Sequence, residues 1–163
     1  MSVHMYQASV PPLLRGLSIL STILRKVETH SDPQSLVHAR LAPDMMTLAG
    51  QVQRASDTSK GCAARLAGIE PPSFADTEKT LADLQARIVK TVDFLNSVKR
   101  EQFDGSETRT ITFKGGTRTF NFNGESYLFD FVLPNFYFHV TTAYAILRHN
   151  GLPLGKLDYL GVA

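Results

Sequence analysis

The sequence predicts an all-α fold, a four-helix bundle with one small β-hairpin between its third and fourth helices. Three observations predict it. Apolar residues recur at steps of three and four in three long stretches, and a fourth apolar stretch runs from Leu133 to Leu147. Pro, Gly and Asp clusters separate these stretches. Between the third and the fourth, the apolar period drops to two around Gly115-Gly116.

The first stripe is Leu13, Leu17, Leu20, Leu24 and Val27. Pro11 and Pro12 fit a helix start near Ser9, because proline is tolerated in a first turn, or an earlier start with a bend. The helix ends near His30, before Ser31-Asp32-Pro33. A second helix is expected from Ala42-Pro43-Asp44, with Pro43 in its first turn and Asp44 at the positive end of its dipole. Its stripe is Met45, Leu48, Val52, Ala55, Ser59, Cys62 and Leu66, and Gly68 is the stop. A third helix is expected from Asp76-Thr77, with Asp76 as N-cap and Leu81, Leu84, Ile88, Val92 and Leu95 facing the core. Glu78, Lys79, Asp83, Arg87 and Lys90 fall outside that stripe.

Thr108–Phe113 and Thr117–Phe122 alternate, with Gly115-Gly116 between them, which predicts a hairpin with a primed turn. A lone hairpin is unstable in water, so its Ile111/Phe113 and Phe120/Phe122 face must dock on the bundle. Asn123-Gly124-Glu125 opens the last helical region, Pro134 breaks or kinks it, and Asn150-Gly151 followed by Pro153 ends it. Leu154, Leu157, Tyr159 and Leu160 are expected to hold the tail. The connection from Gly68 to Ala75 reaches at most about 26 Å. A 20-residue helix is about 30 Å long, so this arithmetic alone favours simple up-and-down order.

A length of 163 residues fits one domain, residues 1–163, with a sizeable core. A net charge of +2 with scattered basic residues argues against nucleic acid and membrane surfaces as partners. The single Cys62 excludes an internal disulfide and gives no sign of a Cys-based zinc site. No apolar run approaches a membrane span, and the first residues lack a signal-peptide pattern, so a cytoplasmic protein is expected.

The polar side chains that stand out are Asn135 and His139. They lie four residues apart among aromatic and aliphatic neighbours, with Phe131, Thr142 and Ile146 on the same stripe. Bundle cores bind metals through such inward pairs, with a third ligand from a facing helix. Asp44 is the first choice for that ligand and Gln51 the second. The same residues also suit a buried polar network in which Asp44 is simply the partner of His139. Cys62 reads as a packing residue, His30 and His38 as solvated, and His149 as a helix-end residue.

His139-Val140-Thr141-Thr142-Ala143-Tyr144-Ala145-Ile146-Leu147-Arg148-His149-Asn150-Gly151 resembles the last helix of the DinB/YfiT superfamily. There a His-x-x-x-His pair precedes an Arg-Gly-Gln run, then a Leu-Arg and a Gly-Pro stop. The string from Leu133 to Gly161 is similar to the domain-of-unknown-function branch numbered nineteen ninety-three. Ser9-Val10-Pro11 with Leu24-Arg25-Lys26 fits the first helix of that branch, and Leu41-Ala42-Pro43-Asp44-Met45 fits its second. The resemblance implies up-down-down-up order and a homodimer. It implies one divalent metal ion, bound by one His from the start of helix 2 and two from helix 4. His139 matches the second His of the helix 4 pair, Asn135 falls at the first, and Asp44 falls near the helix 2 ligand. The superfamily includes thiol-dependent transferases, a maleylpyruvate isomerase and members of no known activity.

Three functional readings follow. One is an altered metal site of Asp44, Asn135 and His139. Another is a metal-free bundle that binds a small apolar ligand or acts as a dimeric interaction protein. The last is metal-free acid–base chemistry by Asp44 and His139.

Overall fold

The computed structural model describes residues 3–162, so Met1, Ser2 and Ala163 of the expected 1–163 domain lie outside the described residues. The chain is mostly helical, with one two-stranded antiparallel hairpin.

Helix α1 spans Met5–Lys26 and starts before Ser9, so Pro11 and Pro12 lie inside it. His4 caps it, its Nδ1 accepting from the Tyr6 N–H at 3.2 Å. The two prolines cannot donate to the carbonyls of Gln7 and Ala8. Gln7 is exposed and Ala8 half-buried, so the interruption falls towards solvent rather than the core. Leu13, Leu17, Leu20 and Leu24 are buried as the stripe predicts, and Val27 follows in a short 3-10 turn.

Helix α2 spans Leu48–Ala67 and corrects the expected start at Pro43-Asp44. Thr47 is the cap, its Oγ1 accepting from the Gly50 N–H at 3.1 Å. Residues 42–45 form a turn closed by Met45 N–H donating to the Ala42 carbonyl at 3.0 Å. Proline suits the second position of such a turn as well as a first helical position, so Pro43 could not distinguish them. Ser59, the polar break in the stripe, is buried and donates to the Ala55 carbonyl at 2.8 Å.

Helix α3 spans Leu81–Ser97, and Thr80 rather than Asp76 caps it. Thr80 Oγ1 accepts from the Asp83 N–H at 3.1 Å, and Asp83 Oδ2 accepts from the Thr80 N–H at 2.9 Å, a reciprocal capping box. The linker between α2 and α3 is therefore residues 68–80, which can reach about 43 Å and can return along a 30 Å helix. Gln53 meets Glu78 just before α3, and Arg109, beyond the end of α3, bonds the Leu66 carbonyl near the end of α2. Helices α2 and α3 thus run the same way, at odds with the up-and-down order that the shorter expected linker favours. His4 at the start of α1 meets Asp104 beyond α3, and Ser21 near its end meets Gln85 early in α3, so α1 runs opposite to α3.

Strands β1 (Thr110–Gly115) and β2 (Arg118–Asn123) pair antiparallel through a two-residue turn at Gly116-Thr117, with Gly116 at φ +60°. That is one residue past the expected Gly115-Gly116, with glycine at the first central position of a primed turn. Ile111 is buried, and Phe113 and Phe120 stack at 5.2 Å. Phe113 packs edge-on against Tyr127 at 5.6 Å, and the Arg65 guanidinium of α2 lies 4.5 Å over the Phe113 ring. The hairpin docks through these rings.

A helical turn, α4 (Gly124–Ser126), leads into a π-helical stretch over Tyr127–Val132 and then α5 (Leu133–His149). Pro134 therefore neither breaks the helix nor stands apart from it. It cannot donate to the Asp130 carbonyl, and the widened turn before it accommodates the lost bond. Phe136 of α5 is fully buried, and its ring fills the notch over Gly16, where a Cβ would come within 2.3 Å of it. The tail turns through α6 (Lys156–Leu160). Leu152 and Leu154 anchor it, while Leu157 and Leu160 are exposed, contrary to expectation.

Candidate functional site

Asn135 and His139 do share one face of α5, and that face meets α2. Asn135 Nδ2 donates to Thr58 Oγ1 at 2.9 Å, and His139 Nδ1 lies 2.8 Å from Gln51 Oε1. The pairs advance along α2 as they recede along α5, so the two helices are antiparallel. Gln51 takes the place that Asp44 was expected to fill. Asp44 lies on the exposed 42–45 turn, outside α2, and no hydrogen bond or ion pair joins it to Asn135 or His139 among the described residues.

His139 is 8% exposed. Burial, and then the charge of Arg54, push its imidazole down to a pKa of about 4, so it is neutral at pH 7. Gln51 Nε2 donates to the Met46 carbonyl at 3.3 Å, which turns Oε1 towards the ring. Nδ1 therefore carries the proton and donates, leaving the lone pair on Nε2. Such a tautomer suits a metal ligand. The rest of the set does not fit a divalent ion. The amide of Asn135 is turned so that its NH2 reaches Thr58, Gln51 Oε1 is engaged by the imidazole, and the nearest charge acting on the ring is the Arg54 cation. Among the described residues no group of three His, Cys, Asp or Glu side chains is placed to hold a metal ion. The Asp44–His139 acid–base pair is likewise not formed. Burial pushes the Cys62 thiol up, which leaves it an inert packing group, as the stripe predicts.

A charged cluster that the stripe did not mark as buried lies on the other side of α2. Arg87 of α3 is 3% exposed. Its Nη1 contacts Asp76 at 3.0 Å, Glu78 at 2.9 Å and the Ala75 carbonyl at 3.0 Å, and its Nη2 contacts Asp57 at 2.9 Å. Arg54 joins through Asp57 and Asp76, and Lys60 through Asp57. Burial alone would raise the Glu78 carboxyl, but hydrogen bonds from Gln53 and Arg87 outweigh it and hold the group below its usual range. The signal was present in the sequence. Leu84, Arg87, Thr91 and Leu95 step by three and four, and all four are buried.

The outer face of α5 carries exposed aromatics. Phe138 is 54% exposed, and with Leu41, Tyr137, Thr141, Thr142 and Ala145 it lines a shallow groove of about 400 Å³. The Phe138 ring meets His139 edge-on at 5.3 Å. The aromatic face of α5 thus splits, with Phe136 in the core and Phe138 outside it.

These features define a DinB-like protein. The chain is similar to a crystal structure of a DinB family member protein from Shewanella denitrificans, with 36% identity and a TM-score of 0.87 over 97% of this chain and 92% of that one. The family model Domain of unknown function (DUF1993) matches residues 5–160, and the chain belongs to that family. No curated protein matches it. No helix among the described residues is long and apolar enough to cross a membrane.

Proposed function

We propose that the chain is a metal-free, non-catalytic DinB-like interaction module, a four-helix bundle of up-down-down-up order that pairs with a second copy of itself through α5. The directions of α1, α2, α3 and α5 support the bundle order. The observation that carries the functional reading is the strip of exposed Leu41, Phe138 and Thr141 with half-buried Ala145, beside a site with neutral polar pairs instead of charged ligands. The strip is shallow, which suits a protein face better than an enclosed small ligand. Two copies of α5 crossing antiparallel about Thr141 would set Phe138 of each against the small Ala145 of the other, an isologous contact. A divalent ion on Asp44, Asn135 and His139 would need Asp44 to leave its turn and Arg54 to accept a second cation nearby.

Two measurements test this. Light scattering on purified chain is expected to give a dimer that Phe138→Asp converts to a folded monomer. A monomeric wild type would sink the self-association. Elemental analysis of protein made without a metal column is expected to find well under about a tenth of an equivalent of divalent metal. A stoichiometric metal lost in His139→Gln would sink the metal-free reading.

A further inference from the structure

A second concave site lies away from the α2–α5 seam, where α1, α5 and α6 meet. Arg15, Ile19, Tyr137, Val140, Tyr159 and Leu160 line a chamber of about 170 Å³. A groove of about 340 Å³ shares Arg15 and Ile19 with it and continues past Ser18 and Thr22 to Lys26. Arg15 thus stands where the two spaces join. Its Nη2 donates to the Leu160 carbonyl at 2.7 Å, which steadies the guanidinium and leaves most of its donors unused. No Asp or Glu side chain pairs with Arg15 among the described residues, whereas Lys26, at the far end of the groove, is paired with Asp158. The site therefore offers one uncompensated positive charge rather than two.

The chamber beside that charge is lined by apolar Ile19, Val140 and Leu160 and by the two phenols of Tyr137 and Tyr159. Tyr159 Oη lies 2.8 Å from Thr141 Oγ1, which holds the ring in place. Tyr144 packs edge-on against the same ring at 5.8 Å. Burial, and then the neighbouring Tyr159, push the Tyr137 phenol up while Arg15 opposes them, so Tyr137 stays a neutral donor at any physiological pH. A planar fork of N–H donors, flanked by phenolic O–H groups at the edge of an apolar chamber, is the donor set that recognises a carboxylate on a compact apolar body.

We propose that this chamber is a binding site for a small monocarboxylate with a single-ring or short aliphatic body. The carboxylate lies against the Arg15 guanidinium and the body lies between Tyr137, Val140 and Tyr159. The chamber volume of about 170 Å³ suits a compact body, and the single free cation disfavours dianions. Tyr137 lines both this chamber and the α5 strip, whereas Phe138 and Ala145 line the strip alone.

Calorimetry on the full chain with benzoate as probe tests it, with benzamide and inorganic phosphate as comparators. Saturable benzoate binding is expected with a Kd of about a millimolar or tighter. Benzamide, which keeps the ring and loses the charge, is expected to bind at least about tenfold more weakly. Arg15→Gln is expected to lose a similar factor. Arg25→Gln, on the same helix but outside the chamber, should change nothing. Tyr159→Phe, which keeps the ring, is expected to lose a few-fold. Phe138→Asp should bind benzoate as the wild type does, so failure of the dimer and failure of this site are read separately. The proposal is overturned if benzoate does not saturate or if benzamide binds equally well. Phosphate competing on equal terms would mark a plain anion site and overturn it too. So would unchanged benzoate affinity in an Arg15→Gln protein that keeps the wild-type thermal midpoint.

Discussion

Helix α2 is packed on two sides by polar seams of opposite character. Towards α5 it offers Gln51 and Thr58 to His139 and Asn135, with no charge in either pair. Towards α3 and the preceding linker it offers Arg54 to Asp76 and Asp57 to Arg87, which also holds Glu78, while Lys60 pairs with Asp57 along α2 itself. The site that resembles a metal centre is the neutral one, and the ionic one is where a linker must be pinned. Neutral pairs suit a helix interface that closes on itself, because an unused donor or acceptor on an amide or imidazole costs far less than an unpaired buried charge. A buried guanidinium needs several partners, and three carboxylates with the Ala75 carbonyl surround Arg87.

The largest expected break of this contrast is on the ionic side. Arg87→Met leaves Asp57, Asp76 and Glu78 without their shared cation and should cost about 3–5 kcal/mol in urea unfolding. A loss under about 1 kcal/mol would mean that the cluster relaxes into solvent.

Acid separates the two seams. The unfolded chain protonates His139 near 6.5, while the folded one resists until about 4, so between these values the unfolded state binds more protons. The stability tied to a neutral His139 is thus fully present above about pH 6.5 and is lost as pH falls towards 4, by up to about 3 kcal/mol. The lowered Glu78 acts in a more acidic window. Its contribution is present above the ordinary carboxylate range near 4.5 and is lost as pH falls through its folded value. His139→Gln should flatten the upper window and leave the lower one. A pH profile unchanged by this substitution would contradict the assignment.

On the neutral side, Gln51→Leu removes the acceptor for the His139 Nδ1–H and should cost about 1–3 kcal/mol. Gln51→Leu with His139→Leu should cost less than the sum of the single changes, by about 1 kcal/mol, because the two side chains form one pair. Additive costs would show that they do not interact. The smallest stability effect is expected at the outer strip. Phe138→Asp should change monomer stability by less than about 0.5 kcal/mol while abolishing dimers, which separates an interaction surface from a core position.

The long stripes were legible because burial on one helix face imposes the step of three and four directly on the sequence. Leu13, Leu17, Leu20 and Leu24 are buried as they read, and so are Leu84, Ile88 and Leu95. Boundaries were less legible where one residue type serves two local structures. Pro43 suits a turn as well as a helix start, and Asp76 suits an ion pair as well as a cap. Asn135 and His139 could be placed on one face from their spacing, but their partners could not. Asp44 is favoured by its expected place in the first turn of the second helix, whereas Thr47, also a good N-cap, starts that helix later and leaves Asp44 on a turn. Gln51 is on the inner face of α2, and only tertiary packing sets it opposite His139. Arg87 was missed because charge was read as exposure, although its spacing from Leu84 and Thr91 marks the buried face.

The most direct test of the neutral α2–α5 seam is the imidazole nitrogen spectrum of His139, recorded by NMR before and after one equivalent of zinc. The ring is expected to be neutral with the proton on Nδ1, to titrate at a pKa of about 4, and to show no saturable change when metal is added. A His139 that titrates near its ordinary 6.5 would contradict the account, as would an Nε2 resonance that shifts to saturation with zinc.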